Sequence, residues 1–183
     1  MVKKQNLKYS LFLGCVIPNR YPYIESATRN VFEKLKIELV DMPGASCCPA
    51  PGVIRGFDIE TWLTVSARNL SIAESMNTDI AVMCNGCYGT LLDANHQLKY
   101  DDEKRELINE HLDNIDRKFQ GTINVKHIVE ILYKDYGIES IKQRTKYGRK
   151  PKLDLNVAVH YGCHLTKPAS IRPLIRNLRI QDS

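Results

Sequence analysis

Residues 79–88 read DIAVMCNGCY, and the order of features within them decides the fold. The apolar run at 79–84 has the length and composition of a buried strand. Cys84 closes it, Cys87 follows three residues later, and helical patterning runs from about Tyr88 to Gln97. A strand that passes into a helix across a cysteine turn is the unit from which parallel sheets with helical crossovers are built.

The same order repeats on either side. YSLFLG (9–14) reads as a buried strand and ends at Cys15, after which Ile24, Ala27, Val31 and Leu35 recur at helical spacing. IELVDM (37–42) is a second strand that stops at Pro43-Gly44 and leads into GASCCPAPG (44–52). Asp58 is a helix N-cap for a long helix with Ile59, Leu63, Leu70 and Ala73 on its inner face. DDEKRELINEHLDNIDRKF (101–119) predicts a helix, acidic at its start and basic at its end as the macrodipole favours. Its stripe is Ile108, Leu112, Ile115 and Phe119, and a further helix is predicted from about Val125 to Tyr136. LDLNVAVHYG (153–162) reads as a fresh strand, followed at once by Cys163. The fold class is α/β, a parallel sheet with helical crossovers.

All six cysteines then fall at the carboxyl ends of predicted strands, where open parallel sheets gather their ligands. Taken singly, each would read as a small buried hydrophobe. Their joint placement points to a metal or redox site. Six in 183 residues is too few for a disulfide scaffold, and a cytosolic chain keeps its thiols reduced.

Composition bounds the rest. With 43% apolar and 26% charged residues the chain has a soluble, globular profile, in one ordinary domain or one and a half small ones. No apolar run reaches the roughly 18 residues that span a bilayer. The start MVKKQNLKYSLFLGCV has the outline of a lipoprotein signal, but its apolar run of five residues falls short of the about 7–15 of a signal peptide. The expected location is cytoplasmic. Net charge is +5, and six of the basic residues lie in IKQRTKYGRKPK (141–152) with no acid among them. That tract reads as a solvated linker, with a docking surface for an acidic partner or anionic substrate as the alternative. Nucleic-acid binding is poorly supported, because a single aromatic residue, Tyr147, stands among the basic ones and no known motif is present.

The spacing of the first five thiols limits what they hold. Thirty-one residues separate Cys15 from the adjacent Cys47 and Cys48, and thirty-five separate that pair from Cys84-Asn-Gly-Cys87. A structural zinc takes four ligands, commonly in paired C-x-x-C knuckles, and would leave one thiol over. Pro49 favours extended backbone at Cys48, on which neighbouring side chains diverge. Diverging thiols suit an object with several separated metal atoms, such as an iron–sulfur cluster. A vicinal disulfide is the third reading. Gly14, Gly44, Gly52 and Gly86 let the loops turn and approach a bulky group.

The pattern C-x31-CC-x35-C-x-x-C resembles the CCG cysteine-rich domain. YSLFLGCVIPNRYPYIESATRNVFEKL, GASCCPAPGV, MCNGCYGTL and VAVHYGCHL resemble, more narrowly, the B subunit of the heterodisulfide reductases of methanogenic archaea, from about Lys8 to Pro173. The resemblance implies a noncubane 4Fe–4S cluster held by Cys15, Cys47, Cys48, Cys84 and Cys87, one thiolate bridging irons. Cys163 matches the first cysteine of a second such domain. His164 occupies the position of a proton donor to a leaving thiolate, a role that suits histidine near neutral pH; the alternative is a histidine packed beside the cluster. His160 reads as structural. In that family two clusters flank the site where the coenzyme M–coenzyme B disulfide is reduced, one electron at a time, in methanogenesis. Subunits C and A are the partners, and a hydrogenase or formate dehydrogenase lies upstream.

The chain departs from the family after Cys163, where no second CC pair or C-x-x-C follows, and LIRNLRIQDS does not resemble it. The expected organisation is a first cluster-binding domain with linker at 1–150 and a truncated start of a second at 151–183, from a truncated or frameshifted product. The strand at 153–162 would be left with an exposed edge, and catalysis by this polypeptide alone is in doubt. Two alternatives carry different chemistry: a CCG subunit of a thiol-dependent fumarate reductase or related dehydrogenase, and a non-catalytic zinc-binding module.

Overall fold

The structure, a computed structural model, describes residues 6–144, 156, 158, 160 and 162–172. Strands β1 (Lys8–Phe12), β2 (Glu38–Asp41), β3 (Ile80–Val82) and β4 (Val125–His127) form one sheet in the order β2-β1-β3-β4. Every pairing is parallel, as the strand–helix alternation requires. Helices α1 (Val16–Arg20) and α2 (Pro22–Leu35) join β1 to β2; α3 (Ile54–Phe57) and α4 (Ile59–Ser75) join β2 to β3. The crossover to β4 contains α5 (Asn85–Tyr100) and α6 (Asp102–Asp113). After β4 come α7 (Ile128–Glu130), a π-helical stretch (Ile131–Gly137) and α8 (Ile138–Arg144), and later a short helix α9 (Cys163–Thr166).

The period of two along each strand divides the interior into two cores. Tyr9, Leu11 and Ala81 face Ile17 of α1, Phe32 of α2 and Ile131. Phe12, Ile80, Val82 and Val125 face the opposite way, onto Trp62 and Leu70 of α4, Tyr88 and Leu91 of α5 and Leu112 of α6. A sheet covered on both faces needs apolar side chains at nearly every strand position, which is why β1 and β3 read as unbroken runs. Helix starts follow local chemistry. Asp58 accepts hydrogen bonds from the backbone N–H of Glu60 (3.0 Å) and Thr61 (3.1 Å), the N-cap expected of it.

Several sequence expectations need correction, among them Ile59, expected on the inner face of α4 but 48% exposed at its first turn. The segment from Val125 opens as a strand, not a helix. Val125 and His127 are buried, and Ile128 and Ile131 extend the same apolar spacing into the helix that follows, so a three-residue strand leaves no separate period. The helix expected over 101–119 ends at Asp113: Asp116 turns the chain at φ +53°, leaving Ile115 49% exposed. Phe119 is still buried, but on the returning loop, where its N–H donates to Asn109 Oδ1 at 2.8 Å. Residues 141–144 of the supposed linker finish α8, while 145–152 lie outside the described residues. The strand expected at 153–162 also falls largely outside them; Asn156, Ala158, His160 and Gly162, which are described, are not in a strand.

These positions separate the two readings of the stripe. Leu112→Ala should cost about 2–5 kcal/mol, as a fully buried leucine does, whereas Ile115→Ala should stay within about 0.5 kcal/mol. Urea denaturation of the two variants against the parent measures both.

Candidate metal-cluster site

Strand order builds the site. The chain leaves β1 for β2 on one side, then returns across β1 to form β3 on the other, so the connections diverge between β1 and β3. A crevice opens at such a reversal, outside the carboxyl ends of the strands. Cys15 follows β1, Cys47 and Cys48 lie in the loop after β2, and Cys84 and Cys87 follow β3.

The five thiols meet there in two groups. Cys15 and Cys47 are exposed, with their Sγ atoms 3.8 Å apart. Cys48 and Cys87 are buried, and the Cys87 thiol hydrogen-bonds to the side chains of both Cys48 and Cys84. Adjacent residues therefore reach different partners, Cys47 meeting Cys15 and Cys48 meeting Cys87, while a contact between the Cys47 and Cys48 side chains links the two groups. Gly14 joins the groups. It sits at φ +68°, and a Cβ there would lie 2.8 Å from Cys87 Sγ, so only glycine lets the end of β1 come this close. Gly44, at φ +81°, makes the turn that leads into the CC loop.

Proton sharing polarises the cluster of thiols. Cys84 is pulled down to about 5, first by the Cys87 hydrogen bond, with the N–H groups of Cys87 and Gly86 at the start of α5 and the charge of His164 adding to it. Cys48 is also lowered, chiefly by Cys87, and Cys87 is correspondingly raised because it is the proton donor to both. Cys47 is pushed up to about 11 by partial burial, by the charge of Cys48 and by its contact with Cys15. Among the described residues no three His, Cys, Asp or Glu side chains are grouped so as to hold one metal ion. The donor set is instead five sulfurs in two adjoining groups around a cradle that only Gly14 permits, which fits a larger thiolate-bound cluster.

The C-terminal segment lies on α5. Cys163 is exposed at the start of α9 and, among the described residues, shares no hydrogen bond with the other five cysteines. His164 packs on Gly89, where an added Cβ would lie 3.2 Å from its Cβ and 3.3 Å from its Nδ1. That contact and its effect on Cys84 bring it to the flank of the site. His160 is exposed. Arg172 anchors the segment: its Nε donates to the Lys167 carbonyl (3.2 Å), its Nη2 to the Gly89 carbonyl (3.5 Å), and its guanidinium lies 5.3 Å from the Tyr88 ring centroid. Also against Tyr88, buried His127 donates from Nε2 to the Met83 carbonyl (3.1 Å) and accepts the Val129 N–H at Nδ1 (3.3 Å). His127 thus holds the residue preceding Cys84. Neither Arg172 nor His127 stands out in the sequence, since a lone basic residue acquires such a role only through burial.

A family profile described as "CCG: Cysteine-rich domain" matches residues 9–92, which hold all five of these cysteines. Over 167 residues the chain is 52% identical to the B subunit of the ferredoxin:CoB-CoM heterodisulfide reductase of Methanosarcina mazei, covering 91% of this chain and 54% of that protein. Over residues 9–92 the chain is similar to the CCG cysteine-rich domain family. It is also 31% identical over 161 residues to the 8-methylmenaquinol:fumarate reductase membrane anchor subunit of Wolinella succinogenes, covering 88% of this chain and 54% of that protein. The chain spans about half the length of these relatives. A crystal structure described as a hypothetical protein from Helicobacter pylori matches 67% of this chain and 24% of its own, with a TM-score of 0.59 and 18% identity, a likeness of fold alone. No described helix of the chain is long and apolar enough to cross a membrane.

Two outcomes follow from the packing. Gly14→Ala should destabilise the chain by more than about 1 kcal/mol, and adding Cys87→Ala should return part of that loss, a coupling that urea denaturation of the double-mutant cycle reads directly. His127 is held below its ordinary pKa by burial, so the unfolded chain binds its proton first as pH falls. Its contribution is therefore full above the unfolded value of about 6.5 and declines below it. His127→Asn should flatten the fall in thermal midpoint between about pH 7.5 and 5.5.

Proposed function

We propose that this chain is the cluster-binding part of an oxidoreductase subunit that reduces the coenzyme M–coenzyme B heterodisulfide. The single observation that carries the reading is the meeting of five thiols in one crevice, supported by the 52% identity to the B subunit of a heterodisulfide reductase. Cys15, Cys47, Cys48, Cys84 and Cys87 would hold a noncubane 4Fe–4S cluster. When bound, that group supplies single-electron transfer. The net reaction takes two electrons and two protons, breaks one S–S bond and forms two thiols. His164, on the flank of the site, would deliver one of those protons from its ring to a leaving sulfur. Cys163 would begin the ligand set of a second cluster, in a second domain opening at 151–183 after a first at 1–150. Subunits C and A, fed by a hydrogenase or formate dehydrogenase, are the proposed partners, and the cytoplasm the proposed location.

A second reading, a CCG subunit of a fumarate reductase, rests on the 31% identity to the Wolinella protein. Coenzyme M separates heterodisulfide reduction from a menaquinol-linked fumarate reductase such as the Wolinella protein: added to the oxidised protein, it should change the EPR spectrum in the first case and leave it unaltered in the second.

Anaerobically purified chain should contain about four iron and about four acid-labile sulfide. Serine at any one of the five cysteines should lower the iron content, and Cys163→Ser should not. About one zinc with no iron or sulfide would sink the proposal and leave a zinc-binding module.

A further inference from the structure

The Cys47 side chain meets Cys15 and the Cys48 side chain meets Cys87, the two thiols also touching each other, and two buried polar side chains grip the loop that holds them. Asn69 of α4 and Thr90 of α5 are both fully buried. The Asn69 amide spans the residues before the turn: its Oδ1 accepts the Ser46 N–H at 2.9 Å and its Nδ2 donates to the Cys47 carbonyl at 3.0 Å. Both bonds are short, and both run to the backbone rather than to a side chain. The Thr90 hydroxyl donates to the Pro49 carbonyl at 3.2 Å, immediately beyond Cys48. The same hydroxyl is within hydrogen-bonding reach of the Cys48 sulfur, so its one proton is shared between that sulfur and the Pro49 carbonyl. Arg68, next to Asn69, extends the grip outward through the Gly44 carbonyl (2.8 Å) and the Ser46 hydroxyl (3.2 Å).

Residues 45–50 belong to no helix or strand, so their backbone groups have no ladder to enter. Buried backbone polar groups need partners all the same. Here the partners come from one helix on each side of the two cysteines, and they immobilise the carbonyls of Cys47 and Pro49. With both carbonyls held, the peptide between the two cysteines has little rotational freedom, and the directions of the two sulfurs are set.

We propose that Asn69 and Thr90 are positioning residues, a two-sided clamp that aims Cys47 at Cys15 and Cys48 at Cys87, with the Thr90 hydroxyl also tuning the group those sulfurs hold. The aiming stands on the protein alone; the tuning rests on the cluster reading above. Polar groups behind first ligands fix their orientation, and hydrogen bonds to cluster sulfurs shift reduction potential.

Asn69→Asp keeps an acceptor for the Ser46 N–H but sets an oxygen against the Cys47 carbonyl. Thr90→Val keeps the shape and removes the hydroxyl, and Thr90→Ser restores it. In the reduced, metal-free full chain, with folding checked by far-ultraviolet circular dichroism, the alkylation rate of Cys48 by a maleimide is read by mass spectrometry. Release of the clamp should raise that rate several-fold in Asn69→Asp and Thr90→Val, and Thr90→Ser should return it to the parent value. In anaerobically purified protein, Thr90→Val should shift the EPR spectrum and lower the midpoint potential, again with rescue by serine. Folded variants that keep the parental Cys48 rate would overturn the clamp. Should Asn69→Asp not fold, the valine and serine pair decides. A parent chain without iron would count against the cluster reading and the tuning, while the alkylation result still judges the clamp.

Discussion

The pairing of β1 with β3 is the constraint on which the site depends. Once these strands lie side by side and parallel, the turns that leave them must open into the same crevice, and β2 on the far side of β1 sends its loop there too. Three stretches of chain separated by more than thirty residues then deliver their thiols to one end of the sheet. Gly14 permits the closest approach, because Cys87 Sγ occupies the space that any larger residue at the end of β1 would need.

The two hydrophobic cores make this arrangement rigid. Strand residues alternate between them, so a one-residue slip of β1 or β3 would exchange the two faces and move the cysteine turns relative to each other. Polar contacts complete the support close to the site. His127 holds the Met83 carbonyl one residue before Cys84, and Tyr88, one residue after Cys87, contacts both that histidine and the Arg172 guanidinium. The same Arg172 fastens the segment carrying His164 to α5. Parts of the chain that are distant in sequence are thereby tied to the helix on which the C-x-x-C begins.

Adjacent cysteines are an economical way to serve two places at once. A single loop position cannot reach both the exposed Cys15 and the buried Cys87, but two neighbouring residues can, one to each, while their own side chains stay in contact. The cost is a loop without regular hydrogen bonding, and α4 and α5 meet it with buried side-chain partners.

Much of this was legible before any coordinates. Apolar runs at β1 and β3, helical spacing after each, and a cysteine after each of the first three strands were enough to point to a parallel α/β sheet and the five candidate thiols, because these signals are local and repeat. The start of β4 was hidden, since Val125, Ile128 and Ile131 have helical spacing and a three-residue strand is too short to show its own period. Ile115 matched a helical stripe, yet the turn at Asp116 removed it from the core. Strand order, the division of Cys47 and Cys48 between two groups, and the roles of Asn69, Thr90, His127 and Arg172 emerged only with the tertiary structure. Residue type and spacing record what a segment can do by itself; which buried carbonyl a lone asparagine or histidine meets depends on what the rest of the chain packs against it.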